Sequence, residues 1–581
     1  GSGCVHTAPG HGLEDYEVCL KYNIHPYCPV NEKGFFDDTV PEELIGKYYE
    51  DCNPIVIDML TKKGALLKAT KFIHSYPHDW RTGKPLLFRA TKQWFMSIEN
   101  LKEKILEEIS SIKWKPKWGE TRMKNMINER KEWCISRQRV WGIPIPIIYG
   151  EDKEPVNDEK VFDHIIKLFK ENGSNIWYEK SAKELLPEGY TNEHSPNGEF
   201  TKEKDIMDVW FDSGSSFDAV LRKRLGYDQS ELYLEGSDQY RGWFNSSLTI
   251  STAIQGKAPY KAVVSHGWVL DEHGEQMHKS KGNGVDPLKM CNIFGADILR
   301  LWVATINYQQ DVRISENLLK QVADQYRKIR NTFKFLLGNL DGFNPEKDAV
   351  NEFTMLDKYM LARLAEVTNA TIQGFEKYDF ATAMSHIMTF MSTDVSSLYC
   401  DIAKDSLYCD APNDLRRRQI RTVIFKIADT LLRLLTPVLP FTMEEVYKNM
   451  PGNNGKSPQL LDYPKEMVVD KVALEEGKKF LNLKAEVNKK LEEARNAGVI
   501  GSSQEALVVL PNSVKSEVKD EEAELAKLFI VSKVEFMDVK EIEAHHIEAQ
   551  KCPRCWNYVD KLFKVDEETE VCERCLHVLG K

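Results

Sequence analysis

The stretch Leu232-Tyr-Leu-Glu-Gly-Ser-Asp-Gln-Tyr-Arg-Gly-Trp-Phe244 places an apolar segment directly before a polar cluster. Residues 232–234 predict a strand, and the cluster comprises Glu235, Gly236, Asp238 and Gln239. Ligands of open α/β sheets bind outside the carboxyl ends of the strands. We therefore predict that the cluster faces the mouth of a pocket. The alternative is that it caps a following helix.

Length and composition are typical of a multidomain globular protein. The 581 residues exceed what one hydrophobic core usually organises, and 42% hydrophobic with 29% charged residues is an ordinary composition. A formal charge of −11 argues against nucleic acid binding over the whole surface and leaves room for a local basic patch. Since no apolar run approaches the ~18–20 residues of a membrane span and no secretory signal is visible, we expect a cytoplasmic protein.

The spacing of apolar residues changes along the chain. Apolar runs such as 55–57, punctuated by Gly and Pro, predict a small α/β unit in residues 1–75, and β-branched runs alternating with helical stretches predict a layered α/β domain in 76–325. Residues 326–498 predict an antiparallel helical bundle, and 499–545 a short α/β segment. One bundle helix, stopped by Pro437 and Pro440, is marked by apolar residues at helical spacing: Ile420, Val423, Ile424, Ile427, Leu431 and Leu434.

Four of the twelve cysteines form a quartet in residues 546–581. They lie in Cys552-Pro-Arg-Cys555 and Cys572-Glu-Arg-Cys575, a spacing typical of a zinc ribbon. Four protein thiolates leave no open coordination position, so we predict one structural zinc ion. The alternatives are surface thiols or a redox dithiol. The other eight cysteines are expected to be reduced and packed.

Four segments, one of them within the stretch quoted first, together resemble the second half of the active site of class I aminoacyl-tRNA synthetases, in the subgroup for isoleucine, valine and leucine. The resemblance extends over essentially the whole chain. The segments are, in order, Trp133-Cys-Ile-Ser-Arg-Gln-Arg-Val-Trp-Gly142, Asp208-Val-Trp-Phe-Asp-Ser-Gly214, Glu235-Gly-Ser-Asp-Gln-Tyr-Arg-Gly-Trp-Phe244 and Gly274-Glu-Gln-Met-His-Lys-Ser-Lys-Gly-Asn283.

This resemblance implies a multidomain α/β plus all-α fold. It implies the C-terminal part of an inserted editing domain in 1–75 and the second half of a Rossmann-type catalytic domain in 76–325. It further implies a helical anticodon-binding domain in 326–498, a small α/β junction in 499–545 and a zinc ribbon in 546–581.

Family roles carry over to individual residues. Lys279 and Ser280 match the family's lysine loop, whose second lysine stabilises charge as ATP, with magnesium, forms the adenylate; Gln276 and His278 depart from the family pattern. The resemblance assigns the following residues to the adenylate and the amino-acid pocket: Glu235, Gly236, Asp238, Gln239, Trp141, Trp210 and His266. The alternatives are core packing for the two tryptophans and a structural role for the histidine.

The segment Val5-His-Thr-Ala-Pro-Gly-His-Gly-Leu-Glu-Asp-Tyr16 resembles part of the hydrolytic proofreading site. In the family, the aspartate matching Asp15 grips the ammonium of a mischarged amino acid and the histidine matching His6 lies near the terminal ribose. Proofreading is needed because one methylene, as between isoleucine and valine, gives only about 1–3 kcal/mol of discrimination. The threonine-rich half of the family's pocket is absent from this sequence, so we expect weakened editing.

Three segments resemble the isoleucine branch: Asp297-Ile-Leu-Arg-Leu-Trp302, Asp311-Val-Arg-Ile-Ser315 and Arg327-Lys-Ile-Arg-Asn-Thr-Phe333. The terminal ribbon favours the same branch. Five basic residues of the bundle could meet tRNA phosphates or could simply be solvated: Arg416, Arg417, Arg418, Arg421 and Arg433.

The implied activity is ATP-dependent activation of L-isoleucine and its transfer to tRNA(Ile), with editing of mischarged valine, by a monomer without a membrane partner. The sequence contains no His-x-Gly-His, the family's phosphate-gathering element. We therefore expect a fragment that is inactive alone. The alternatives are a valine enzyme and a non-catalytic, tRNA-binding zinc-ribbon protein.

Overall fold

The structure is a computed structural model that describes residues 3–79, 82–278, 281–516 and 521–580. The chain divides into two compact units. The first contains residues 1–108, 124–226 and 245–259, and the second contains 109–123, 227–244 and 260–581. Helices Lys102–Ser111, Trp118–Glu129 and Trp243–Gln255 contribute residues to both units.

The first unit is built from short helices and two-stranded antiparallel sheets. Its strand pairs are Phe95–Ser97 with Glu132–Cys134, Ser136–Arg137 with Ile206–Met207, and Ile148–Tyr149 with Thr201–Lys202. Its helices include Leu13–Lys21, Asn53–Lys62, Glu159–Asn172, Ile176–Glu179 and Val209–Gly214. The fully buried Trp177 packs with Ile148, Val161 and Ile165 in a local core.

Residues 3–75 contain less strand than a small α/β unit would have. Ile55, Val56 and Ile57 lie in helix Asn53–Lys62, which has a proline in its first turn. Proline is favourable there because the first helical N–H groups have no intrahelical acceptor. In this part of the described chain, β pairing is restricted to isolated bridges such as Val30 with Phe36.

The second unit contains a three-stranded parallel sheet. Strand Ala262–His266 lies at its centre, between Lys113–Lys115 and Tyr233–Gly236. All residues of the central strand except His266 are buried, as expected for a parallel strand covered on both faces. A second parallel pair joins Val269–Leu270 to Val312–Arg313, and helices Pro287–Phe294 and Ala296–Thr305 precede the latter strand.

A helical bundle follows. Its helices are Glu316–Asn339, Met355–Glu376, Phe380–Thr389, the wide-turned π-helix Phe390–Cys400, Asp401–Cys409, Leu415–Leu435, Pro440–Lys448 and Lys471–Asn496. The predicted helix before Pro437 is confirmed as Leu415–Leu435, and its six apolar marker residues are at most 1% exposed. Pro440 begins the next helix rather than only ending this one.

The five basic residues considered as phosphate contacts all have hydrogen-bond partners within the protein. Helix Leu415–Leu435 is largely buried, so its arginines reach groups of neighbouring segments. The pairs are Arg416 with Asp357, Arg417 with the carbonyl of Asp410, Arg418 with the carbonyl of Asp348, Arg421 with the carbonyl of Asn339, and Arg433 with the carbonyl of Asp462.

The chain then forms a small sheet and the ribbon. Strand Ala506–Pro511 pairs in parallel with Lys533–Met537 and antiparallel with Glu543–His546, beside helix Glu522–Phe529. Two antiparallel pairs follow, Gln550–Lys551 with Tyr558–Val559 and Phe563–Lys564 with Glu570–Val571, and then helix Glu573–Val578. Among the described residues, no helix has the length and apolarity to cross a bilayer.

Candidate functional site

The polar cluster lies at the carboxyl edge of the parallel sheet, as the sequence predicts. Gly236 ends its strand opposite His266, the last residue of the central strand, and Glu235 lies opposite Ser265. Glu235 and Asp238 are exposed, so their carboxylates are available to a ligand. The chain turns directly after the strand, through the 3₁₀ helix Ser237–Tyr240.

Gly236 is a point of close approach. A Cβ atom at this position would lie 2.6 Å from Oδ1 of Asp238 and 3.5 Å from Cε1 of His266. A side chain at position 236 would therefore displace the Asp238 carboxylate. His266 is exposed, and its Nδ1 lies 2.8 Å from the carbonyl oxygen of Gly267. The sheet edge thus brings Gly236, Asp238 and His266 together.

Gln239 caps the following helix. Its Oε1 accepts a hydrogen bond from the N–H of Trp243, the first residue of helix Trp243–Gln255, at 2.9 Å. Its Nε2 donates to Oδ2 of Asp238 at 3.1 Å. The capping alternative therefore holds for Gln239, and the same amide orients the neighbouring carboxylate.

Buried aromatic residues pack beneath the turn that follows strand Tyr233–Gly236. Tyr240 is fully buried, stacks on Trp114 with ring centroids 6.0 Å apart, and its hydroxyl lies 3.1 Å from Oγ of Ser265. A Cβ atom at Gly119 would lie 2.1 Å from the Tyr240 hydroxyl, so position 119 requires glycine. The turn that carries Asp238 is therefore anchored to the sheet.

The two predicted catalytic residues, Lys279 and Ser280, lie outside the described residues. The segments on either side are joined by Asn283, whose Nδ2 donates to Oδ2 of Asp271 at 2.8 Å and to the carbonyl of Gln276 at 3.2 Å. Asp271 also accepts the N–H of Glu275 at 2.8 Å, and these hydrogen bonds lower the pKa of its carboxyl group. The base of the loop is thus held by two polar residues, Asp271 and Asn283, whose roles no motif in the sequence indicates.

Asp208 links two of the segments that resemble the synthetase active site, 133–142 and 208–214, in the first unit. This buried carboxylate accepts hydrogen bonds at 2.9 Å from Nε1 of Trp133 and from Nη2 of Arg137, and it caps helix Val209–Gly214. The two predicted pocket tryptophans differ in exposure. Trp141 is 90% exposed and Trp210 is 38% exposed, so both present ring surface to solvent.

Burial, and secondarily the neighbouring Asp208 charge, raise the pKa of Asp212 to about 6. Because the folded state then binds more protons than the unfolded state between about pH 4 and pH 6, stability falls as pH rises through this window. We expect Asp212→Asn to stabilise the first unit at pH 7 by on the order of 1 kcal/mol, after allowance for solvent screening, and to have no effect below about pH 4.

Thermal unfolding across this pH range would measure the effect of Asp212→Asn. Asp163→Asn, at an exposed position of helix Glu159–Asn172, is the matched control. A gain that persists unchanged below pH 4 would rule out the carboxylate as its source.

The segment of residues 5–16 is folded around Asp15 and Gly10. Oδ2 of Asp15 accepts the N–H of Ala8 at 3.0 Å, at the start of helix Leu13–Lys21. A Cβ atom at Gly10 would lie 2.3 Å from the carbonyl oxygen of Tyr27, so this turn also requires glycine. His6 is exposed.

The cysteine quartet forms a compact cluster. The Sγ atoms of Cys552, Cys555, Cys572 and Cys575 all lie within 4.8 Å of one another, and those of Cys555 and Cys572 are 3.6 Å apart. Tetrahedral zinc at about 2.3 Å from each sulfur places ligands about 3.8 Å apart, so the cluster fits the ion. Three of the four side chains are buried, and they form most of the ribbon's small core.

Comparison with known proteins agrees with this geometry. Residues 14–315 match the family of tRNA synthetases class I (I, L, M and V), residues 357–510 match the anticodon-binding domain of tRNA ligase, and residues 549–578 match the zinc finger found in FPG and IleRS. The chain belongs to the class I tRNA synthetase family. It combines a class I catalytic region with an anticodon-binding domain and a zinc finger that holds structural zinc.

The similar proteins include isoleucine–tRNA ligases. Isoleucine–tRNA ligase 1 of Oceanobacillus iheyensis and isoleucine–tRNA ligase of Bacillus cereus (strain B4264) are each 47% identical to the chain over 599 residues, covering 100% of the chain and 65% of the relative. The chain therefore spans 65% of the length of these curated relatives. A methionyl-tRNA synthetase structure from Mycobacterium tuberculosis, bound by methionyl-adenylate, covers 64% of this chain and 65% of that chain at 16% identity, with a TM-score of 0.46.

Proposed function

We propose that this chain is part of an isoleucine–tRNA ligase. The supporting observation is the 47% identity to isoleucine–tRNA ligases, which extends over the whole chain. The proposed reaction is ATP-dependent activation of L-isoleucine, with magnesium, followed by transfer to tRNA(Ile) and hydrolytic editing of mischarged valine. We also propose a cytoplasmic monomer.

Domain roles follow from the same proposal. Residues 1–75 would be the C-terminal part of the editing domain and 76–325 the second half of the Rossmann-type catalytic domain. Residues 326–498 would bind the anticodon arm, and 546–581 would be the zinc ribbon. Residues 499–545 would be the junction that connects these two domains. The fold of each segment supports this division: short helices, a parallel sheet, a bundle, a small mixed sheet and a cysteine cluster.

At the sheet edge, we assign Glu235 and Asp238 to the ammonium and ribose hydroxyls of the adenylate. Their exposed carboxylates can accept hydrogen bonds from both groups. Gly236 allows close approach of the ligand, and Gln239 orients Asp238. His266, at the end of the adjacent strand, is assigned to the adenine base of the adenylate. Lys279 and Ser280 are assigned to the departing pyrophosphate, where a cation stabilises developing charge.

The remaining assignments concern side-chain recognition and editing. Trp141 and Trp210 supply exposed aromatic surface for the isoleucine side chain. Asp15 would hold the ammonium of misacylated valine, and its contact with the Ala8 amide fixes the carboxylate at the segment's turn. His6 would lie near the terminal ribose.

A groove on the bundle, lined by both polar and apolar side chains, is the proposed site for the tRNA backbone. It encloses about 890 Å³ between helix Glu316–Asn339 and the segment 380–400. Its lining carries Lys328 and Lys404, the latter paired with Asp401, together with amide and hydroxyl groups such as Asn331 and Ser396, and its described lining includes no carboxylate. In a chain of net charge −11, such a groove is a local surface suited to phosphate and ribose.

A second cavity, of about 970 Å³, lies between the bundle and the ribbon. Trp556 lines it and is 63% exposed, and the Lys551 ammonium lies 6.0 Å from its ring centroid. Exposed aromatic rings beside cations stack unpaired bases. We propose that this cavity receives a base of the anticodon loop.

The catalytic proposal is tested by Lys279→Ala in a protein of the relatives' full length. Because the lysine acts mainly on the transition state, we expect kcat for isoleucine-dependent exchange of pyrophosphate into ATP to fall by about 10²–10³, with little change in the KM for isoleucine. Lys289→Ala, an exposed lysine on helix Pro287–Phe294, is the matched control. Equal losses in kcat and in isoleucine binding, or none, would refute the assignment.

A further inference from the structure

The two Cys-x2-Cys turns of the ribbon, which we call the zinc knuckles, are Cys552–Cys555 and Cys572–Cys575. They share a feature that metal ligation does not require: an arginine directly before the second cysteine of each. These residues are Arg554 and Arg574. Both side chains contact bundle helix Asp401–Cys409. Arg574 forms a bidentate ion pair with Asp405, with N–O distances of 2.5 and 2.7 Å, and its Nη1 lies 3.5 Å from Oδ1 of Asp410.

Arg554 contacts the metal cluster and the helix at the same time. Its Nη1 donates to the carbonyl oxygen of Cys409 at 2.7 Å and lies 3.3 Å from Sγ of Cys575. Cys409 is the last residue of its helix, where carbonyl groups lack intrahelical donors and a cation is favourable. One guanidinium therefore joins a zinc ligand to the end of a bundle helix.

The negative charge of the zinc-thiolate cluster makes the contact of Arg554 with Cys575 favourable. Four thiolates around Zn²⁺ carry a net charge of about −2, and N–H donors to the sulfurs disperse it. The zinc ion in turn fixes each Cys-x-Arg-Cys turn, since a site of this kind is formed by the metal. The arginines can reach Asp405 and Cys409 together only when both turns hold their shape.

We propose that Arg554 and Arg574 are positioning residues that couple zinc binding to docking of the ribbon on helix Asp401–Cys409. Coupling of this kind is reciprocal: the factor by which docking tightens zinc binding equals the factor by which zinc tightens docking. The proposal goes beyond the tRNA ligase function and depends only on the zinc site and the described contacts. Its consequence is that zinc orders one wall of the 970 Å³ cavity, which Arg554, Arg574 and Asp405 also line.

The test measures zinc release from the whole chain to a chromogenic chelator. Asp405→Asn removes the charge that holds Arg574, and Asp405 lies more than 140 residues from the nearest zinc ligand in sequence. We expect Asp405→Asn and Arg554→Leu to release zinc about tenfold faster, within the usual range for residues that support metal ligands. Asp401→Asn, on the same helix but paired with Lys404, is the matched control and should release zinc at the unaltered rate.

Hydrogen exchange provides the reciprocal readout. Removing zinc from the unaltered chain should speed amide exchange in residues 401–409, while exchange in helix Met355–Glu376 stays the same. This second helix also shows whether each variant keeps a folded bundle. Zinc release from Asp405→Asn at the unaltered rate, or unchanged exchange at 401–409 after zinc removal, would overturn the proposal.

Discussion

Replacing Arg416 by Met is expected to destabilise the helical bundle by about 3–5 kcal/mol. Arg416 donates from Nη1 to Oδ2 of Asp357 at 2.5 Å, and Asp357 is completely buried. The same carboxylate accepts the Tyr399 hydroxyl at 2.6 Å and closes a capping box with Thr354. Loss of the guanidinium leaves a buried carboxylate without its counter-ion, and this is the costly way to break such a pair.

The effect of Arg416→Met is measured by the midpoint of helical unfolding in denaturant, followed by circular dichroism. Arg327→Met is the matched control, since Arg327 pairs with Asp324 on the helix surface with side chains 67% and 60% exposed. Exposed pairs contribute at most about 1 kcal/mol. Equal shifts for the two variants would show that the Asp357 pair is not a stabilising centre of the bundle.

Loss of zinc is expected to unfold the ribbon and leave the bundle folded. The ribbon's core consists largely of Cys552, Cys572, Cys575 and Val571, so nothing comparable remains to hold it without the metal. Zinc contributes about 10–16 kcal/mol to small fingers of this kind at pH 7. Metal analysis should give about one zinc per chain, and Cys572→Ser should reduce it to nearly none, with new protease cleavage inside residues 549–578.

Cys291→Ser is the control for this experiment, because Cys291 is a free cysteine on helix Pro287–Phe294, away from the quartet in sequence. It should keep its zinc. Stoichiometric zinc in Cys572→Ser, or none in the unaltered chain, would contradict a four-thiolate site.

Patterns with a strict spacing were readable from the sequence. The apolar run before Glu235 predicts a strand end, the spacing from Ile420 to Leu434 predicts one face of a helix, and the paired Cys-x2-Cys turns predict a metal cluster. In each case the periodicity or ligand geometry is local, so a single sequence carries it. The structure has all three.

Partners distant in sequence were not readable. The run around Arg416 has the composition of a solvated basic face, and only the fold brings Asp357, 59 residues away, to its guanidinium. The Asp271–Asn283 contact at the base of the lysine loop joins residues of ordinary turn composition. Arg554 and Arg574 gave a usable signal, since the same residue type occupies the same place in both knuckles, but their acceptors are set by tertiary packing.

We propose isoleucine-specific tRNA aminoacylation for the protein to which this chain belongs. Its most direct test on the chain itself is the ratio of dissociation constants for tRNA(Ile) and tRNA(Val), measured at one salt concentration because phosphate contacts depend on salt. We predict that tRNA(Ile) binds at least about tenfold more tightly, a difference of about 1.4 kcal/mol. Equal affinities, or a preference for tRNA(Val), would contradict the assignment.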